Sequence, residues 1–408
     1  MEHITVKLFI FTARVMAMEQ IINESLASLE SYIESKHWKG YDPYDAMNSP
    51  LLTLCSLNNS LLRTVYTQAL KRVPINLRKV LWIKKGYNPK GMGLFLASYM
   101  ILYKNTRSEE YLKKAQFFIN WLKDNSSDGY AGRCWGYNFP WQSRAFFAPA
   151  GTPTVVNTCF IANAFLDAYQ ILGDEKYLEI ARSSCDFIIK SLNIYKTGDG
   201  KICFSYTPFD NARVHNANLL AASLLTRVYS ITGEDALLDY ANEAANFSID
   251  YQNSDGSWNY GLESYQNWID SFHTGFMIES LYDYARFSNR LNIMEKVDLG
   301  IKYYLRNFFS DNGLPRYYNN RTYPIDVHSS AEGIIVFTKL RNLDMNNLNQ
   351  AKKVALWAIH NMQSRKGYFY YQKHKYYCNK IPYMRWSQAW MFKALVCLAE
   401  ASGMISTV

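Results

Sequence analysis

Asp255-Gly-Ser-Trp-Asn-Tyr260 and the run from His273 to Ala285 decide how this chain folds. Asp-Gly makes a tight turn, because glycine accepts positive φ without steric cost. The aromatic residues after it lead into a helical run that is apolar on most of its circumference, and such a helix is buried. The same order recurs along the chain. Asp128-Gly-Tyr130, Asp199-Gly200, Asp311-Asn-Gly313 and Lys366-Gly-Tyr368 open comparable stretches, and the last four of the five turns begin about 56 residues apart. The buried helices they lead to are predicted over Asn157–Tyr169, His215–Tyr229, His273–Ala285, His328–Leu340 and Arg385–Ala399, with Met92–Tyr103 as a sixth. More charged, amphipathic partners follow at Glu109–Lys123, Glu175–Lys190, Asp235–Asp250, Ile293–Phe308 and Leu348–Met362. Met18–Ser35 can serve as the sixth partner.

Six hairpins joined head to tail can close a ring, with buried helices around the axis, amphipathic ones outside and the aromatic loops gathered at one end. The expected fold is all-α: an (α/α)6 toroid over 85–408, with residues 1–84 as an N-terminal helical segment packed on it. That segment would hold one outer helix and a further helix near 49–72. Over residues 85–401 the repeat resembles the (α/α)6 toroids of many carbohydrate-active enzymes and of terpenoid cyclases.

Composition excludes other classes. With 408 residues, 49% hydrophobic, 16% aromatic and 19% charged, the chain is neither disordered, collagen-like nor a disulfide scaffold. The balance of 44 Lys+Arg against 35 Asp+Glu, a net +9, points to an anionic substrate or surface without implying nucleic acid. Seven scattered Cys with no C-x-x-C pair read as small buried apolar residues in a reducing compartment. Arg14 and Glu19 interrupt the apolar Lys7–Phe11 stretch short of signal-peptide length, and no apolar run of about 18 residues is read elsewhere, so a cytoplasmic protein is expected. Metal-ligand spacings, glycine-rich phosphate loops and nucleophile elbows do not occur, and neither a metal nor a cofactor is expected.

Three of the seven His fall in the first turn of successive inner helices: His215, His273 and His328, at intervals of 58 and 55 residues. Equivalent positions of neighbouring hairpins converge on one funnel. Three imidazoles titrating near neutral pH are therefore expected at one cavity, unless each only satisfies a backbone group at its helix start. Carboxylates stand at the same level: Asp42 and Asp45 in Trp38-Lys-Gly-Tyr-Asp-Pro-Tyr-Asp45, then Asp210, Glu263, Asp270, Asp326 and Glu332. Glycoside hydrolysis needs two such groups flanking the bond, although Asp270 and Asp326 also stand where an N-cap belongs. Glu332 follows His328 by four residues and can orient it.

Trp38, Tyr41, Tyr44, Trp135, Tyr137, Trp141, Trp258, Tyr260, Trp268, Tyr317, Tyr318 and Trp386 suit a sugar cleft, part of them as packing. Pyranose C–H faces stack on such rings while their polar tips bond hydroxyls. Arg133, Arg144, Arg213, Arg316 and Arg385 flank the same loops and can hold a carboxylate by paired hydrogen bonds. The expected partner is an acidic saccharide. The basic stretch at 71–90 (Lys71, Arg72, Arg78, Lys79, Lys84, Lys85, Lys90) is either a solvated face or a peripheral contact with an anionic membrane.

The segment Ser271-Phe-His-Thr-Gly-Phe-Met-Ile-Glu-Ser280 resembles the aromatic-His helix start of the glucuronyl C5-epimerase toroid. It also resembles the His-to-Glu helix of N-acylglucosamine 2-epimerases, with Phe276 in place of a second His. Trp38–Asp45, Pro74–Arg78 and Asn88–Gly91 are similar to little-characterised proteins of polysaccharide-biosynthesis clusters. The last resemblance implies a place in polysaccharide biosynthesis rather than a reaction. If the reaction is C5-epimerisation or elimination at a uronate, His273 or His328 is expected as base, Tyr260 or Tyr317 as proton donor and Arg316 or Arg385 on the carboxylate. If the reaction is hydrolysis, Asp42 or Asp45 would act with Asp270 or Asp326. A non-catalytic glycan-binding scaffold is a third reading. Ala244–Trp258, with Gln252, resembles the Gln-to-Trp repeat of triterpene cyclases, but the D-x-D-D and D-D-x-x-D signatures of isoprenoid cyclases are absent.

Overall fold

The computed structural model describes residues 2–143 and 146–405, with side chains from Met16 onward. Its helices are α1 (Glu2–Ser35), α2 (Pro50–Cys55), α3 (Ser60–Arg72), α4 (Pro89–Thr106), α5 (Glu109–Asp124), α6 (Val155–Leu172) and α7 (Glu175–Ser191). The second half holds α8 (His215–Thr232), α9 (Asp235–Asp250), α10 (Ser271–Phe287), α11 (Met294–Phe308), α12 (Val327–Lys339), α13 (Asn346–Met362) and α14 (Trp390–Ala401). A π-helical turn, Met384–Ala389, leads into α14.

The inner helices α4, α6, α8, α10, α12 and α14 pack in sequence, and α14 packs back on α4 to close the ring. Outside them stand α5, α7, α9, α11, α13 and, against α14, α1. Each outer helix buries one stripe: α11 hides Val297, Gly300, Ile301, Tyr304 and Phe308 at helical spacing. Helix α6 is apolar and long enough to cross a membrane by length and composition alone, so the expectation of no such run is corrected. It lies between α4 and α8 as an inner helix, which accounts for its composition.

The repeated turn is fixed by its neighbours. Gly256 has φ 93°, and a Cβ there would overlap the carbonyl oxygen of Leu299 in α11. Gln252 Nε2 donates to Gly256 O at 3.2 Å and to Lys296 O at 3.0 Å, tying the turn to the next outer helix. The last turn docks in the same way on α1, with Gly367 against Ser28 and Gln363 Nε2 donating to Ser25 O at 3.1 Å. The N-terminal helix is thus the outer member of the sixth hairpin.

A second repeat sets the height of each inner helix. The first N–H of α6, α8, α10, α12 and the π turn donates to a tyrosine carbonyl of the following loop: Val155 to Tyr206, His215 to Tyr260, Ser271 to Tyr317, Val327 to Tyr371 and Met384 to Tyr41, at 2.9–3.2 Å. The corresponding residue of α4 is Pro89, which has no N–H.

Two details differ from an all-helical reading. The loops carry short antiparallel strands, among them Ile194–Lys196 with Ile202–Phe204, and Ile325–Asp326 with Gln372–Lys373. Residues 49–72 form two helices, which with Ile83 enclose a small core of Ala46, Met47 and Leu70. Cys134, Cys159, Cys185 and Cys203 are buried as expected, whereas Cys55 is exposed.

Candidate active site

A cavity of about 520 Å³ opens at the end of the ring where the inner helices begin. The second residue of every inner element lines it: Lys90, Val156, Asn216, Phe272, His328 and Arg385. One helical phase, held in five of the six elements by the tyrosine-carbonyl register, aims these side chains at the axis. The loops add Tyr137, Trp141, Tyr260, Trp268, Tyr317 and Trp386, and α3 closes one side with Lys71 and Arg72.

His273, third in α10, also faces the cavity. Asp270 Oδ1 accepts the backbone N–H of His273 at 3.0 Å, which is the N-cap, and Oδ2 accepts its Nδ1–H at 2.7 Å and Trp268 Nε1–H at 3.0 Å. The cap therefore also orients the ring. With Nδ1 committed, Nε2 is the nitrogen left for a ligand. Tyr260 stacks on Trp268 with centroids 4.5 Å apart and lies 4.6 Å from the imidazole. Burial, and next the Asp270 charge, raise the Tyr260 phenol above its ordinary pKa.

His328 lies against the same two phenylalanines as His273. It stacks on Phe272 at 4.7 Å and 15° and meets Phe276 at 6.0 Å, while His273 meets them at 4.2 and 6.2 Å. Neither of its ring nitrogens has a hydrogen-bond partner among the described residues. Burial, followed by the charges of Lys90 and Arg385, drives its pKa well down and so favours the neutral ring.

The third histidine does not join them. His215 is the first residue of α8, one position before the phase that faces the axis. It is buried against Phe247 and Tyr251 of the neighbouring outer hairpin arm, with Nδ1 3.4 Å from Ser248 Oγ. Burial lowers its pKa to about 4.

Most expected carboxylates lie outside the wall. Asp42 makes a two-bond pair with Arg385, Oδ2 to Nε at 2.6 Å and Oδ1 to Nη2 at 2.8 Å, with both residues buried. Asp45 pairs with the buried Arg78 at 2.7 Å, and burial raises its pKa to about 6 against the pull of that cation. Asp326 caps α12, accepting from His328 N–H at 2.9 Å, and takes Trp386 Nε1–H at 2.9 Å and Gln372 Nε2–H at 2.7 Å. Glu332 is buried between α12 and Gly275 of α10 and off the cavity; burial, and next the charge of Glu279, push its pKa well up. It does not orient His328, whose nitrogens are unpaired. Asp270 is the sole carboxylate of the wall among the described residues.

Several expected ligand contacts are packing instead. Trp135 and Trp258 are fully buried and donate Nε1–H to Leu122 O and Ser248 O at 2.9 Å each, sealing outer-helix ends. Arg133 is bonded to Ser126 Oγ at 2.7 Å at a loop base, and Arg213 pairs with Glu263 at 2.7 Å. Arg316 and Tyr41 also lie off the wall, Tyr41 near Arg78 and Lys85. Arg144 lies outside the described residues. Within the basic stretch, Lys71 and Arg72 face the cavity and Arg78 is buried, so only part of it can meet an outside surface.

Lys90 is the functional candidate that spacing alone missed. Its Nζ lies 4.3, 5.1 and 5.2 Å from the ring centroids of Phe160, Trp390 and Phe276, and no carboxylate among the described residues is paired with it. Burial, then Arg385, lower its pKa well below the ordinary lysine value. The signal was present: Lys90 follows Pro89 in the first turn of an inner helix, as His328 follows Val327. A second cavity of about 330 Å³ occupies the other end of the ring and shares Phe276. Part of its charge is paired within the wall, Arg227 with Asp167 and Lys339 with Glu279 and Asp283.

No family model and no curated protein matches the chain. Solved structures do. A sugar epimerase from a ruminal bacterium is similar at TM-score 0.60 and 16% identity, covering 79% of this chain and 90% of its own. An unsaturated glucuronyl hydrolase specific for heparin is similar at TM-score 0.62 and 11% identity over 96% of this chain and 99% of its own. A D-mannose isomerase is similar at TM-score 0.59 and 12% identity over 78% and 87%. What the chain shares with these enzymes is the fold, an (α/α)6 toroid of six helical hairpins.

Proposed function

We propose that the chain is a saccharide-modifying enzyme that moves a proton at the carbon beside a carboxylate or carbonyl. Its substrate is an acidic sugar, and the outcome is epimerisation, or elimination where a leaving group sits one carbon further on. One observation carries this reading: the cavity gathers two imidazoles, while its one described carboxylate, Asp270, is already held by His273. Hydrolysis by paired carboxylates needs a second free acid across the bond.

His273, its Nδ1–H fixed on Asp270, offers Nε2 as the base, and His328 is the second proton carrier. Removing the proton beside a carboxylate leaves an enolate, whose added charge requires cations or hydrogen-bond donors already in place. Lys90 and Lys71 line the wall, and Arg385, with Nε and Nη2 committed to Asp42, keeps Nη1. The Tyr260 and Tyr317 phenols, held protonated by burial, can donate. That a sugar epimerase and a mannose isomerase use this fold supports the class of reaction, though a fold by itself hosts many chemistries.

The test is deuterium incorporation from solvent into uronosyl oligosaccharides. Label is expected at C5, and His273→Ala and His328→Ala should each lower its rate roughly a hundredfold or more. Undiminished label in both variants overturns the roles of the histidines. New reducing ends without label would move the reaction to hydrolysis.

A further inference from the structure

The chain between the first aromatic loop and α4 is charged with one sign only. Residues 46–88 contain seven Lys and Arg and no Asp or Glu, so this stretch accounts for seven of the nine net positive charges. Arg78, Lys71 and Arg72 are used by the fold and the cavity, whereas Lys79, Lys84 and Lys85 are exposed.

The same stretch exposes large apolar side chains. Leu54 is 74% exposed, Leu57 80%, Leu61 68%, Ile75 67%, Val80 73% and Trp82 64%. Scattered single exposures of this kind are ordinary, but a concentration of them marks an interaction surface. Two of these side chains stand at tight turns. Leu57 and Trp82 have φ of 46° and 57°, the left-handed region that costs a bulky residue about 1–2 kcal/mol. The left-handed backbone at Trp82 closes a turn, with Ile83 N–H donating to Arg78 O at 2.9 Å, and leaves the indole outside it.

We infer that residues 50–85 form a docking surface for an anionic lipid bilayer, with Leu57 and Trp82 inserted at the interface and Lys79, Lys84 and Lys85 against the headgroups. Charge decides between occupants. A second copy of this chain would set Lys79, Lys84 and Lys85 against the same three cations, and a tryptophan flanked by lysines suits the boundary between acyl chains and anionic headgroups. Helix α3 belongs both to this face, through Leu61 and Val65, and to the cavity rim, through Gln68 and Lys71. Docking therefore sets the cavity beside the bilayer.

Co-sedimentation of the full chain with phosphatidylcholine vesicles, with and without phosphatidylglycerol, tests this. Binding is expected only with phosphatidylglycerol, and added salt should weaken it. Replacing Lys79, Lys84 and Lys85 by Gln should reduce the partition coefficient roughly a hundredfold, at about 1 kcal/mol per charge. Leu57→Ser with Trp82→Ser should reduce it about tenfold or more, at unchanged melting temperature because both side chains are exposed. The inference is overturned if anionic vesicles do not bind the chain, or if both sets of variants bind as well as the parent. Concentration-dependent dimers abolished by Leu57→Ser/Trp82→Ser would also overturn it, by assigning the patch to a second copy.

Discussion

Two first-turn histidines, His215 and His328, show what a single position in a helix decides. Each sits near the start of an inner helix, and each is nearly inaccessible. A shift from the second to the first position turns a side chain by about 100°, from the axis to the outer arm. His215 then becomes a stability group. Its pKa of about 4 lies below the ordinary histidine value, so the folded state prefers the neutral ring. Its contribution is complete above about pH 6.5 and falls away as pH drops toward 4, because the unfolded chain takes up the proton first. The loss is on the order of 3 kcal/mol. Asp45 and Asp326, raised by burial to about 6, run the other way: their contribution is present at low pH and lost as pH rises through 6. Comparing the parent with His215→Gln removes those terms. Urea unfolding of both chains at pH values on either side of the window should show the gap between them closing on acidification. A gap that stays constant would mean that the buried ring is not the titrating group.

At the scale of elements, α10 and α12 approach closely because Gly275 leaves room for Glu332. A Cβ on residue 275 would overlap Glu332 Cγ and come within 2.7 Å of Oε1. The glutamate is fully enclosed and cannot swing aside. Gly275→Ala should therefore destabilise by about 1–3 kcal/mol, the usual cost of overpacking. Glu332→Ala in the same chain should recover part of it, and a double-mutant cycle by chemical denaturation measures the coupling. Additive losses would show that the two side chains do not compete for one space. Helix order and hairpin count were legible in the sequence because the Asp-Gly turns repeat and because buried and amphipathic helices alternate in composition. The phase of each helix was not. A 55-residue spacing specifies which hairpin carries a histidine, but not which face it takes. The height is set by N–H bonds to tyrosine carbonyls such as Tyr317 and Tyr371, which any residue could supply. For the same reason Lys90 reads as part of a basic run, and only ring closure places it at the axis. Asp42 and Asp45 look free in sequence because their partners are distant, Arg385 at the other end of the chain and Arg78 in the segment between α3 and α4.

The whole molecule depends on joining its two ends. A ring of hairpins has no free edge only if its last inner helix finds both the first inner helix and an outer cover, and here α14 finds α4 and α1. Among the contacts that cross this seam are Met384 N–H to Tyr41 O at 3.1 Å, Gln363 Nε2–H to Ser25 O at 3.1 Å, and the paired bonds of Asp42 with Arg385. The ion pair is the most exacting of them. Two charges withdrawn from water are stable only together, and removing one leaves the other buried and uncompensated, at a cost of about 3–5 kcal/mol. Asp42→Asn should lower stability by that order and act first at the seam, raising hydrogen exchange in α1 and α14 before the opposite side of the ring, α8 and α9. Asp42→Leu with Arg385→Met removes both charges and should restore much of the stability, since an apolar pair of similar volume carries no desolvation cost. Arg385 also lines the cavity, so the double variant is expected to fold without recovering activity. A double variant no more stable than Asp42→Asn would show that the pair contributes packing rather than charge, and uniform exchange around the ring would show that the toroid opens everywhere at once.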